Sequence, residues 1–136
     1  MYTILIVDDE RPAQTFLKAI CQKYCPAFDT ILLSGSADDA LRLMAQQHVH
    51  VLVTDISMPG INGIELAQRV RQLYPRTHTV IVSGYAEFEF ARGAIQAGVD
   101  DYLLKPVEIQ SFRQILDRIR ETLDAEANEL MEETLT

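Results

Sequence analysis

Five short stretches of the chain are dominated by Ile, Val and Leu without the polar interruptions of a half-exposed strand: Thr3–Val7, Thr30–Leu33, Val51–Thr54, Thr79–Ser83 and Asp101–Leu104. Continuous apolar runs of this length suit strands of a parallel sheet covered on both faces. Between them the apolar positions change period. Ala13, Phe16, Leu17, Ile20 and Cys21 recur at helical spacing, as do Ala40, Leu41 and Met44. Ile64, Leu66, Ala67, Val70 and Leu73 form a third such face, and Phe88, Ala91, Ala94 and Ile95 a fourth. Ser36 and Asp38 offer N-cap chemistry, Pro12 suits a helix start, and Gly98 reads as a helix stop. Strand and helix alternating five times predict an α/β fold, a parallel sheet with right-handed crossovers.

In such sheets the working groups gather at the carboxyl ends of the strands. Asp8 and Asp9 follow the first strand, Asp55 the third, and Lys105 and Pro106 the fifth, while Ser83 closes the fourth. Three acids, one hydroxyl and one lysine therefore converge on one rim. Carboxylates this close cannot all stay ionised without a cation to join them. Oxygen ligands in small number suit Mg²⁺, which keeps waters and bridges carboxylate to phosphate. Phosphoryl transfer asks a protein mainly to position groups and neutralise charge. Asp55, at the centre of the rim, is the natural nucleophile for an acyl phosphate.

These stretches, "LIVDDE", "DISMPGINGIEL", "VIVSGYAE" and "DYLLKP", carry a resemblance. In this order and at these intervals they resemble the receiver domain of two-component response regulators, from Thr3 to about Arg120. The resemblance implies a flavodoxin-like, doubly wound (βα)5 sheet of order 2-1-3-4-5. It implies that Asp55 accepts the phosphoryl group. Asp9, Asp55 and the backbone carbonyl of Ser57 would hold Mg²⁺ directly, and Asp8 through water. Lys105 would pair with the phosphoryl group, Ser83 would shift inward to hydrogen-bond it, and Tyr102 would swing in with Ser83. Pro106 would follow a cis peptide bond that aims Lys105 into the site. The wording "SGYAEFEFARGAIQAGVDDYLLKP" resembles receivers joined to AraC-type DNA-binding domains, so the implied context is a transcriptional regulator, the alternative being a stand-alone receiver or phosphorelay intermediate that acts by protein–protein contact. A sensor histidine kinase is the implied phosphodonor. Ser57 and Tyr85 flank the site as candidates for tuning the phosphate's lifetime.

The composition narrows the classes further. A formal charge of -8 argues against a general nucleic-acid surface, so DNA contact would come from an output domain absent from this chain. No apolar run reaches membrane-spanning length and the start lacks a secretion-signal layout, which points to a cytoplasmic protein. Cys21 and Cys25 read as buried or half-buried thiols, and they and the three histidines lack zinc-ligand spacing. Competing readings fit less well. Asp8, Asp9 and Asp55 could cap helices or turns, but capping explains no Lys105. Gly60, Asn62 and Gly63 read as turn chemistry rather than a phosphate loop. A flavin carrier would need a phosphate loop where the chain is acidic. A phosphatase would need a second acid where Ser57 stands.

The last stretch holds two readings open. Ile109, Phe112, Leu116, Ile119 and Leu123 repeat at heptad spacing, after which the stripe moves from Glu126 to Ala127 and Leu130 like a stutter. From Asp117 onward seven acids face two arginines, -5 of the total -8. Either a receiver domain of residues 1–122 ends in a helix that frays over 123–136, or that segment begins a signalling helix or linker. A homodimer would form through the last helix or the fifth-strand face.

Overall fold

A computed structural model describes residues 1–84, 86, 92 and 98–135 of the chain. Five strands, β1 (Thr3–Val7), β2 (Thr30–Ser34), β3 (Val51–Asp55), β4 (His78–Ser83) and β5 (Asp101–Leu104), form one sheet of order β2-β1-β3-β4-β5. Every ladder is parallel. The expected α/β class and strand order are both present. Three strands are one residue longer than the apolar runs predict, adding Ser34, Asp55 and His78. Asp55 thus lies inside the ladder, opposite Val82, rather than beyond it.

The alternating direction of side chains along a strand explains the continuous apolar runs. Ile4 and Ile6 face one way, with Val51, Val53, Val80 and Val82, against α1 (Arg11–Tyr24) and α4 (Ile109–Leu135). Leu5, Val7 and Leu52 face the other way, against α2 (Ala37–Gln46) and α3 (Gly63–Leu73). Full burial of each such side chain contributes roughly 1.5–3 kcal/mol. The rim is therefore carried by strands anchored on both faces.

The helix starts are set locally. Pro12 stands in the first turn of α1, where its missing N–H costs nothing. Ser36 Oγ accepts the Asp39 N–H at 3.2 Å and caps α2. Asn62, expected only as a turn residue, caps α3 by accepting the N–H groups of Ile64 (3.0 Å) and Glu65 (2.9 Å). Gly60 before it has φ +79°, a conformation that favours glycine.

Three residues depart from their expected core faces. Phe16 is 43% exposed, Leu73 62% and Ile109 41%. Leu73 and Ile109 are terminal residues of their helices, where the turn leaves the sheet surface. From Phe112 to Leu123, the last helix's heptad positions are buried in the chain's own core, together with Ile115. Over that length the stripe covers the sheet. The helix itself continues unbroken to Leu135. The fourth periodic stretch, Phe88, Ala91, Ala94 and Ile95, and Tyr85 lie outside the described residues. Among the described residues no helix is long and apolar enough to cross a membrane.

Candidate functional site

Asp8 leaves β1 with its N–H bonded to the Ser34 carbonyl at 3.0 Å, which ties the ends of β1 and β2. Gln14, from α1, donates its amide to the same Ser34 carbonyl (3.0 Å) and to that of Asp8 (2.6 Å). The Asp8 side chain is buried; its Oδ1 accepts the Glu10 N–H at 2.9 Å. Asp9, by contrast, is exposed. The adjacent pair therefore splits into one fixed and one solvent-facing carboxylate.

Asp55 ends β3 at 7% exposure, and its Oδ1 accepts the Ile56 N–H at 2.9 Å. Two contacts hold the turn behind it: Thr54 Oγ1 donates to the Asp55 carbonyl at 2.9 Å, and the Gly63 N–H donates to Ile56 O at 2.9 Å. A Cβ on Gly63 would stand 1.9 Å from the Asp55 carbonyl oxygen, so the start of α3 seats against β3 only with glycine there. The sequence alone marked Gly63 as a turn residue; its close approach depends on a neighbour eight positions away.

The structure brings Asp8, Asp9 and Asp55 together, with one carboxylate oxygen of each inside a 4.8 Å cluster. Two like charges near 4 Å repel by about 4 kcal/mol at an effective dielectric of about 20. Lys105 offsets part of this. Its Nζ lies 3.2 Å from both Asp8 Oδ2 and Asp55 Oδ2. Its backbone N–H donates to the Ser83 carbonyl at 2.8 Å, and its peptide bond to Pro106 is cis, as expected. Burial opposes the Lys105 charge, but Asp55 and Asp8 outweigh it and hold the ammonium above its ordinary value. Burial pushes the Asp55 carboxyl up; Lys105 pulls it back and Asp8 adds to the push.

Three carboxylates against one ammonium leave two negative charges in the cluster. That residue of charge and an all-oxygen donor set fit a divalent hard cation such as Mg²⁺. Beside it Ser83 is 1% exposed, and its Oγ has no hydrogen-bond partner among the described residues. A buried hydroxyl left unpaired costs about 1–3 kcal/mol, so it stands ready for an acceptor. Tyr102 lies on β5 opposite Ile81 at 36% exposure, on the sheet's edge strand rather than among the acids. Ser57 is exposed, two residues past Asp55.

Among the histidines, which lack zinc-ligand spacing, His78 makes two contacts that no local pattern signals. His78 binds Asp100 through Nδ1 at 2.9 Å and Glu126 through Nε2 at 3.1 Å. Those partners are 22 and 48 residues away, beyond any local spacing signal. Cys21 and Cys25 are both free and buried, and burial pushes the Cys21 thiol up to about 12.

A family model described as the response regulator receiver domain matches residues 4–117. A transcriptional regulatory protein of Bacillus subtilis, YesN, is 33% identical over 119 residues, covering 88% of this chain and 32% of that protein. The chain thus spans about a third of this curated relative's length. Among solved structures, the REC domain of AraT, a response regulator from Geobacillus stearothermophilus, superposes with a TM-score of 0.83 at 31% identity, covering 93% of this chain and 98% of that one. A two component transcriptional regulator AraC from Clostridium phytofermentans gives 0.79 at 29%, covering 94% and 99%.

Proposed function

The chain belongs to the response regulator receiver domain family, and on that premise we propose that it is a phosphoacceptor switch in which Asp55 takes a phosphoryl group from a sensor histidine kinase. The observation that carries this reading is the buried Asp55 carboxylate, 3.2 Å from the Lys105 ammonium within a cluster of three acids.

Asp55 Oδ2, the oxygen facing Lys105, is the attacking atom; Oδ1 is held by the Ile56 N–H and fixes the carboxylate's direction. Attack forms an Oδ–P bond as the P–N bond to the kinase histidine breaks. Lys105 then has a phosphoryl oxygen to pair with in place of the carboxylate. The unpartnered Ser83 hydroxyl donates to a second phosphoryl oxygen. Asp8, Asp9 and Asp55, with the Ser57 carbonyl, would hold Mg²⁺. When bound, Mg²⁺ supplies charge neutralisation that lets two negative groups approach.

Phosphorylation adds about -1.5 to -2 charges at this rim. Ser83 moving toward them, and Tyr102 following from its half-exposed place on β5, would bias the β5 face between two states. Converting a mostly inactive to a mostly active population takes about 5.5 kcal/mol of differential interaction. The β5 face, where Tyr102 and Leu104 are 36% and 41% exposed, is the favoured surface for a homodimer.

Residues 1–122 constitute the receiver on this reading, and 123–136 extend the last helix toward an output domain. That domain acts on DNA as an AraC-type module; transcriptional relatives support it. A cytoplasmic location accords with two free, buried thiols. The test is phosphate chemistry. Incubated with Mg²⁺ and a small acyl phosphate donor, the chain should gain hydroxylamine-labile phosphate, and Asp55→Asn should gain none. Label of equal extent in Asp55→Asn would overturn the assignment.

A further inference from the structure

At the end of the sheet remote from the acid cluster, the imidazole of His78 is held between two carboxylates from different elements. Asp100, just before β5, meets Nδ1 at 2.9 Å, and Glu126, three residues past the last core residue of α4, meets Nε2 at 3.1 Å. A neutral imidazole carries only one N–H. With an acceptor at each nitrogen, both bonds form only when the ring is an imidazolium. Asp100 is itself fixed, since its Oδ2 accepts the Thr79 N–H at 2.7 Å. The His78 side chain is 13% exposed, which shields the pair from full solvent screening.

We propose that His78 is a protonation-dependent clamp that fixes the direction in which the last helix leaves the sheet, closed while the imidazolium joins Asp100 to Glu126 and released when His78 becomes neutral. A second contact lies nearby: Tyr2 OH donates to Asp124 Oδ1, and Arg120 Nη1 donates to the other oxygen at 2.9 Å. Beyond Glu126 the helix has lost its core contacts; Leu130, Met131 and Leu135 are 45%, 63% and 83% exposed. The clamp therefore sits where the helix passes from its core-packed part to its more exposed part.

The surroundings decide the sign. The hydrogen bond that His78 donates to Asp100 outweighs burial, which opposes the charge, and the charges of Asp100 and Glu126 add to it, so its pKa lies above the ordinary 6.5. A cleft of about 550 Å³ beside the ring is lined by Arg71, Arg76, Glu129 and Glu133 as well as by the three clamp residues. His50 offers its carbonyl to the backbone N–H of His78 at 2.9 Å, while its own ring turns to Tyr2 and His48. With a raised folded pKa, the clamp's contribution is complete below about 6.5 and is lost as pH rises through the folded value. At the acid side, burial raises the Asp100 pKa but His78 and the Thr79 N–H outweigh it, so that contribution fades only as pH falls below 3.8. His78 opens β4 and Ser83, beside the acid cluster, closes it, so one strand runs from the clamp to the edge of that cluster.

Hydrogen exchange of residues 126–133, corrected for intrinsic rates, reads the clamp directly. In the unsubstituted chain, protection should fall as pH rises above 6.5, following the His78 titration seen by NMR. Glu126→Gln, at a half-exposed position that leaves the core intact, should lower the His78 pKa and cut protection about fivefold at the acid end, the scale of one partly exposed ion pair. His78→Gln should make the profile flat. Protection that ignores the His78 titration, or a His78 that titrates at or below 6.5, would overturn the proposal.

Discussion

Lys105 Nζ lies 3.2 Å from Asp55 Oδ2, and the same ammonium reaches Asp8 Oδ2 at 3.2 Å. Asp8, the buried member of the adjacent pair, therefore meets its countercharge from a residue 97 positions downstream. Lysine reduces the cluster's excess charge without cancelling it.

Replacing Lys105 by Met should destabilise the metal-free protein, because two buried carboxylates then face each other. The Lys105 side chain is 33% exposed, so the loss should be about 1–3 kcal/mol, below that of a fully buried pair. Mg²⁺ should restore most of it. Urea midpoints with and without Mg²⁺ measure both effects; an unchanged midpoint would show that Lys105 does not neutralise the acids.

Asp55 gives a pH signature of the opposite kind to a surface ion pair. Burial, with Asp8 adding to it against the pull of Lys105, raises the Asp55 pKa above 3.8. Its folded state thus favours the protonated form, and its contribution to stability is present below 3.8 and lost as pH rises through the folded value. Asp55→Asn should raise the metal-free Tm at neutral pH, and the gain should shrink toward pH 4. Thermal melts across that range check it; a variant less stable at neutral pH would contradict it.

Two glycines make a matched pair. An added Cβ at Gly63 would meet the Asp55 carbonyl oxygen at 1.9 Å, whereas one at Gly35 meets nothing within 4 Å. Gly63→Ala should cost about 1–3 kcal/mol or more and weaken Mg²⁺ binding by displacing the end of β3. Gly35→Ala should stay within about 0.5 kcal/mol. Denaturation and Mg²⁺ calorimetry on the two variants separate site geometry from general stability.

Ser83 separates stability from function. Its hydroxyl is buried and unpartnered, so Ser83→Ala should leave the metal-free protein as stable or stabilise it by about 1 kcal/mol. The same change should slow phosphoryl uptake by Asp55 while Mg²⁺ affinity holds. A destabilised Ser83→Ala would mean that the hydroxyl already has a partner.

The strands were legible in the sequence because residues such as Ile4, Leu5, Ile6 and Val7 are buried on both faces, which removes the polar alternation that marks exposed sheets. The rim residues were legible because each stands at a strand end, where a parallel sheet gathers them. Long-range pairings were not. The His78 partners and the reach of Lys105 depend on how distant elements dock. Asn62 gave a local signal, since its side chain caps the helix that Gly63 opens, but turn and cap use the same residue types. The heptad of the last helix was ambiguous in a different way. A stripe at that spacing serves a partner or the chain's own sheet, and from Phe112 to Leu123 it serves the sheet.

The most direct test of the account is the intact mass of the chain after incubation with a small phosphodonor. With Mg²⁺ present, it should gain the mass of one phosphoryl group, about 80 Da. The gain should vanish in Asp55→Asn and when a chelator removes the metal. No gain with Mg²⁺, or a gain that survives Asp55→Asn, would contradict the assignment of Asp55 as phosphoacceptor.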